Sequence, residues 1–311
     1  MRATVCMLIA VFVAFLNCSE KSSSVNSVAE ADNIITVSKA EMIIANGAHP
    51  DWSPDQKLLA YSFYNGTGTN IFTISRPDSV IRQMTNEETH NNYPFWSPDG
   101  NQIGFSSDRG GNQAYNIFSA DIQSGEINRL TPDSLSVQSG DWSSDGESVV
   151  FDGSSSSLNI NAISIERLTS NTLISLNPDL DYAGRPKYSP VDDRIVFEGL
   201  ANNSLDYNIW TMNSDGTGLK QITATGGEYP CWSPDGLWIA YSNNLEGNYD
   251  LFIIQSDGSG SPVQVTHTEN ANEVRASWAP AGDSIAYDTM MGTDTVDPQN
   301  PGIYVITIEF L

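Results

Sequence analysis

A chain of 311 residues with 38 Asp and Glu against 14 Lys and Arg carries a formal net charge of −24. That field opposes contact with a phosphate backbone or an anionic headgroup surface, so nucleic-acid binding is not expected; a solvated surface is the plain reading of the charge, and a preference for cationic partners or divalent metal the sharper one. At 39 % hydrophobic the chain can bury a sizeable core, and its 24 Gly, 15 Pro and lack of helix-period apolar runs beyond residue 16 point to an all-β domain.

Residues 1–18 read Met-Arg, an apolar run over residues 3–16, then Asn17-Cys18-Ser19. A run of this length, at about 1.5 Å per residue, is too short to cross a hydrocarbon core of about 30 Å as a helix, and it has the charge and position of a secretory signal. Cys18 at its end resembles the bacterial lipoprotein cleavage box, in which it becomes the lipidated first residue of the mature chain. Asn17 and Phe15 depart from the usual pattern there, and ordinary secretion is the alternative. Any membrane contact is expected only through that anchor. Residues 19–33, rich in Ser, Glu and Asn, read as a flexible tether, and residues 34–311 as the folded domain. Of the three cysteines only Cys231 belongs to that domain, so no disulfide framework is available, and it reads as a small buried side chain.

The domain is organised by one motif. Trp-Ser-Pro-Asp-Gly stands intact from Trp96 and Trp232, and eroded from Trp52, Trp142, Tyr188 and Trp278, at spacings of 44, 46, 46, 44 and 46 residues. A period in the mid-forties with one strand-turn-strand signature per unit marks a β-propeller, whose four-stranded blades bury their faces only against neighbours in a ring. Six copies predict six blades. After the run at residues 303–308 the last unit stops without a fourth strand. A strand-like run at residues 39–45 precedes the first signature and is expected to complete the last blade, removing the exposed edges.

The signature's chemistry is that of a hairpin: Pro presets φ, the Asp carboxylate accepts local backbone N–H bonds, and Gly takes a positive φ. Asp55, Asp99, Asp145 and Asp235 are therefore read as turn residues, not catalysts. The same holds for the polar residue before the third strand's apolar pair, found at Asn70, Asn116, Asn159, Asn208 and Asp250. Residues 213–216 and 256–258 are acidic turns that lack a calcium loop's ligand pattern.

With the signature, the Ile/Phe-Ser second strand and the Leu-Thr strand end, the repeat over residues 39–311 resembles that of the TolB-type propellers, periplasmic components of the Tol-Pal system. It departs from TolB in having only a tether where an α/β domain precedes the propeller. The resemblance implies a cell-envelope role in which the propeller binds protein or peptide partners. Related oligopeptidases carry a hydrolase domain with a Gly-x-Ser-x-Gly elbow; none is present here, and Gly258-Ser259-Gly260-Ser261 is a turn.

Counting three residues back from each signature gives His49, Tyr93, Ser139, Arg185, Tyr229 and Arg275, a ring of unlike residues expected at the channel mouth. Neighbouring positions add His90, Asn91, Asn92, Tyr182, Glu228 and Glu273. Arg and Tyr in one annulus suit a peptide terminus or acidic side chain; the competing reading pairs Arg185 and Arg275 with Glu228 and Glu273 across the channel. The expected function is a non-enzymatic, exported propeller, periplasmic or tethered to the outer membrane through Cys18, with no cofactor. Two alternatives stay open. One is a metal-dependent lyase or hydrolase acting on glycans with His49 and His90 as ligands, for which related propeller lyases give precedent, although no His-x-His pair occurs and His267 sits far along its loop. The other is a glycan-binding or substrate-recognition module. The acidic loop at residues 290–301, with Asp294 and Asp297, is a second candidate partner surface.

Overall fold

Each copy of the signature ends a strand on its aromatic residue. In the computed structural model, which describes residues 35–86, 88–110, 114–132, 136–155, 160–176, 178–245, 247–269, 271–290 and 301–310, the six first strands are Gly47–Trp52, Asn91–Trp96, Ser136–Trp142, Tyr182–Tyr188, Glu228–Trp232 and Asn272–Trp278. Each pairs antiparallel with the strand that follows it, and blades 1 to 5 are antiparallel meanders of four strands, while blade 6 takes its outer edge from the N-terminal side. The expected all-β six-bladed propeller is the fold observed, with no helix among the described residues. The leader, Cys18, the tether, Asn159, Asp294 and Asp297 lie outside the described residues.

The signature turns are built as the sequence implies. Ser97 Oγ donates to Asp99 Oδ1 at 2.6 Å, and the same oxygen accepts the Asn101 N–H at 3.0 Å. The bonds recur at Ser53–Asp55, Ser143–Asp145 and Ser233–Asp235. Gly100, Gly146, Gly236 and Gly282 take φ of 69–78°, where a Cβ would be strained. The polar residue before the third strand has a different duty from a simple turn bond. Asn70 Oδ1 accepts from Thr85 Oγ1 at 2.9 Å, and Thr85 Oγ1 accepts the Ile71 N–H at 2.9 Å, so the Asn and the strand-end Thr staple the third strand to the fourth. Asn208 and Thr223 repeat it in blade 4.

Six apolar clusters fill the six interfaces between neighbouring blades. Between blades 1 and 2, Ala60 and Ile71 pack on Trp96, Ile103 and Phe105; between blades 4 and 5, Val196 and Ile209 pack on Trp232 and Tyr241. Full burial of each such side chain contributes about 1.5–3 kcal/mol, so stability resides between blades as much as within them. The signature Trp adds a polar tie, since Trp96 Nε1 donates to the Asp51 carbonyl of blade 1 at 3.1 Å and Trp232 Nε1 to the Lys187 carbonyl of blade 4 at 3.0 Å.

The ring closes between blades 6 and 1. The outer strand of blade 6 comes from the N-terminal side in two pieces, Ile35–Val37 and Glu41–Ala45, both antiparallel to the last strand, Gly302–Phe310. The closing segment therefore begins four residues before the expected run at 39–45 and is interrupted at residues 38–40, where Ser38 Oγ accepts the Thr307 N–H in place of a ladder bond.

Candidate functional site

Every first strand breaks its register at one place. The pairing shifts between Ala48 and Asp51, Asn92 and Phe95, Val137 and Gly140, Gly184 and Lys187, Glu228 and Cys231, and Val274 and Ser277, a β-bulge centred three residues before the signature. His49, Tyr93, Arg185, Tyr229 and Arg275 sit in this bulge with φ of 52–56°. A left-handed conformation in a bulky residue costs on the order of 1–3 kcal/mol, and five such residues facing one axis mark a surface that the fold holds in place. All five and Ser139 line a central cavity of about 360 Å³.

What holds the bulges is a set of buried carboxylates on the second strands, ten residues after three of the signature aromatics. Asp288 Oδ2 accepts the His49 N–H; Asp152 accepts the N–H groups of Ser139 at 2.7 Å and Arg185 at 3.3 Å; Glu198 Oε2 accepts the Tyr229 N–H at 3.0 Å. These carboxylates also take the arginines: Arg185 Nη1 pairs with Glu198 Oε1, and Arg275 Nη1 with Asp288 Oδ2 at 3.3 Å. The arginines thus pair inside their own blades, and not with Glu228 or Glu273. The side chains interlock across five blades. The Arg185 guanidinium lies 4.1 Å from the Tyr229 ring centre and that of Arg275 5.5 Å from it; Arg275 Nη1 meets His49 Nε2 at 2.9 Å, and the His49 ring packs on Tyr93 at 4.0 Å, tilted by 52°.

The electrostatics follow from burial. Glu198, 1 % exposed, is pushed up to about 7 by desolvation, which Arg185 only partly offsets. Burial raises Asp152 and Asp288 as well, and it holds His49 well below its usual range together with the charges of Arg275 and Arg185, so the imidazole is neutral and accepts at Nε2. His49 Nδ1, Arg275 Nε and Asp288 Oδ1 have no hydrogen-bond partner.

Beyond this floor the cavity runs toward the signature turns. Its wall carries Asp51, Asp141 and Lys187, and its rim the signature prolines Pro54, Pro190, Pro234 and Pro280 with Tyr188 and Trp232. Asp51 accepts the Trp96 N–H at 2.9 Å and Asp141 the Tyr188 N–H at 2.9 Å, each tying one blade to the next. Desolvation raises Asp51 to about 6, against the pull of Lys187. Burial works to lower Lys187, but the Asp141 and Asp51 carboxylates outweigh it and raise the ammonium. Cys231 also lines the cavity, its thiol pushed up to about 12 by burial, so it is no nucleophile at neutral pH.

Of the residues expected at the mouth, the structure brings together His49, Tyr93, Ser139, Arg185, Tyr229 and Arg275. Tyr182 and Glu228 lie farther up their strands, outside the cavity lining; Tyr182 packs edge-on against Tyr207, and Glu228 accepts from the Tyr249 hydroxyl. His90 is exposed, with its N–H on Asp108, and does not share a cavity with His49. Glu273 is buried in a second cavity between blades. Among the described residues no three His, Cys, Asp or Glu side chains form a metal-binding group.

A family model described as the TolB beta propeller domain matches residues 12–181. The chain belongs to the TolB β-propeller domain family. The matched region ends as blade 4 begins, yet the first-strand bulge recurs through blade 6. The Tol-Pal system protein TolB of Francisella tularensis subsp. mediasiatica (strain FSC147) is 27 % identical over 237 residues, covering 75 % of this chain and 54 % of that one. The chain thus spans about half the length of the curated relatives it matches. In fold it is similar to TolB from Acinetobacter baumannii, with a TM-score of 0.70 at 18 % identity over 79 % of this chain and 62 % of that one. It is also similar to a putative TolB from Agrobacterium tumefaciens, with a TM-score of 0.65 at 20 % identity over 85 % and 90 %.

Proposed function

We propose that this chain is an exported, non-enzymatic propeller of the cell envelope that receives a segment of a protein partner in its central cavity. The observation that carries the reading is the contrast between a six-fold scaffold, which repeats the bulge in every blade, and the unlike side chains it presents there, His49, Tyr93, Ser139, Arg185, Tyr229 and Arg275. A rim of proline and aromatic side chains offers flat apolar contact at little entropic cost, and polar groups beneath it fix orientation. The cavity enters from the signature-turn side, where Pro54 and Pro190 are exposed. The relatives named for the Tol-Pal system support an envelope protein as the class of partner, and residues 1–18 support export, with Cys18 as the lipid attachment point that tethers the domain. A metal-dependent reading finds less support, since Arg275 occupies His49 Nε2 and His90 lies elsewhere.

The test is a charge-balanced change in the floor, Arg185→Met with Glu198→Gln, which removes the ion pair while a side-chain oxygen remains for the Tyr229 N–H. Partner recovery from envelope extract should fall at least tenfold with folding retained. Unchanged recovery would show that the partner binds elsewhere.

A further inference from the structure

A second cavity, of about 280 Å³, lies between blades 5 and 6 beside the closing segment. One wall is aliphatic: Ile35 and Val37 from the closing segment, Val265 from blade 5 and Ile306 from the last strand. The interruption of the closing strand at residues 38–40 leaves this wall open to solvent beside Ser38 and Lys39, both exposed.

The base of the cavity is acidic and buried. Glu273 lines it at 2 % exposure, Tyr287 stands beside it at 2 %, and Asp250, also at 2 %, lies close enough for its charge to act on Glu273. Glu273 Oε2 has no hydrogen-bond partner. A buried polar oxygen without a partner is destabilising, so a donor that reaches it would relieve that cost. The basic groups in the lining are Lys39 and His267, both exposed at the rim. No set of three metal-ligating side chains forms here among the described residues. What the base lacks is a single compact cation with N–H donors, and what the wall offers is room for a short hydrocarbon chain.

We propose that this cavity binds a small aliphatic ammonium, its head on Glu273 Oε2 and its chain along Ile35, Val37 and Ile306. The head donates to Glu273, with the Thr266, Thr268 and Tyr287 hydroxyls as further acceptors. The site is independent of the central channel. Burial pushes the Glu273 carboxyl up to about 8, with hydrogen bonding from Thr266 opposing and the Asp250 charge adding. At pH 7 it is therefore mostly protonated. Binding of an alkylammonium ionises it, and the proton passes to the buffer.

The experiment titrates n-butylamine hydrochloride into the full chain at pH 7 by calorimetry, in two buffers of different ionisation enthalpy, with n-butanol as the uncharged control. Wild type should bind one equivalent saturably with release of most of one proton, n-butanol should bind at least tenfold more weakly, and Glu273→Gln should weaken the amine at least tenfold. Gln preserves shape and removes only the capacity to ionise, and circular dichroism confirms that the variant is folded. Diffuse attraction of an amine to a chain of net charge −24 would survive in Glu273→Gln. Equal binding by that variant, binding without proton release, or no saturable binding by wild type would each overturn the proposal.

Discussion

Removing residues 35–45 should open the ring. The segment contributes Ile35, 4 % exposed, to the core between blades 5 and 6, and partly buried Val37, Ile43 and Ile44 to that core and the next. One fully and three partly buried aliphatic side chains amount to about 5 kcal/mol by area. The ladder against the last strand, with its seven paired positions, adds about 3 kcal/mol once exchange with water is allowed for. The loss of about 8 kcal/mol falls within the whole stability of an ordinary domain, about 5–15 kcal/mol. It also strips cover from Ile303, Ile306 and Ile308, each at most 2 % exposed, along a nine-residue strand edge. The variant should be unfolded or aggregated at 25 °C in circular dichroism and size-exclusion chromatography, and Ile35→Ala alone should cost about 3 kcal/mol in urea unfolding. A deletion variant that melts with the full chain would refute the closure argument.

Glu273, Glu198 and Asp51 bind protons more firmly folded than unfolded, with values raised to about 8, 7 and 6. Their contribution to stability is complete below about pH 4, the unfolded range, and is lost as pH rises through those values, so urea midpoints should fall from pH 5 to pH 8.5 and Glu273→Gln should flatten the upper part of that decline. Arg185→Ala should destabilise by about 3 kcal/mol because it leaves Glu198 buried without its partner, and Glu198→Gln added to it should recover most of the loss; equal midpoints for the single and double variants would contradict the pairing. Thr223→Val keeps the shape but leaves the Ile209 N–H without its acceptor and Asn208 Oδ1 without the Thr223 donor, which should lower stability by about 3 kcal/mol in thermal unfolding.

The blade count, the hairpin role of Asp99 and the contribution of the N-terminal strand were legible because they obey the repeat, and a period survives where individual residues change. The channel ring was legible for a physical reason that the sequence does not display: the bulge always falls three residues before the aromatic, so counting back three finds the side chains turned inward. Counting farther fails. Beyond the bulge the register has shifted, and Glu273, five residues before Trp278, faces the gap between blades 5 and 6. His90 precedes its strand and Tyr182 starts its own, both outside the cavity lining. Asp152, Glu198 and Asp288 escaped notice because they lie in the apolar second strands and not in loops. A signal was available, since each follows an apolar triplet at the position where the other blades have Ser62, Ser106 and Ser242. A charge in a buried strand, at a place where half the repeats keep a hydroxyl, marks a group held for its neighbours across the blade boundary.

Entry of a protein partner into the cavity from the signature-turn side can be read by photocrosslinking in the envelope. A photoreactive residue at Pro54 or Pro190 samples the rim, and one at Tyr64, 60 % exposed at the end of a second strand, samples the opposite face. One adduct of the same mass is expected from both rim positions and none from Tyr64. Adducts from Tyr64 with none from the rim would contradict entry from that side.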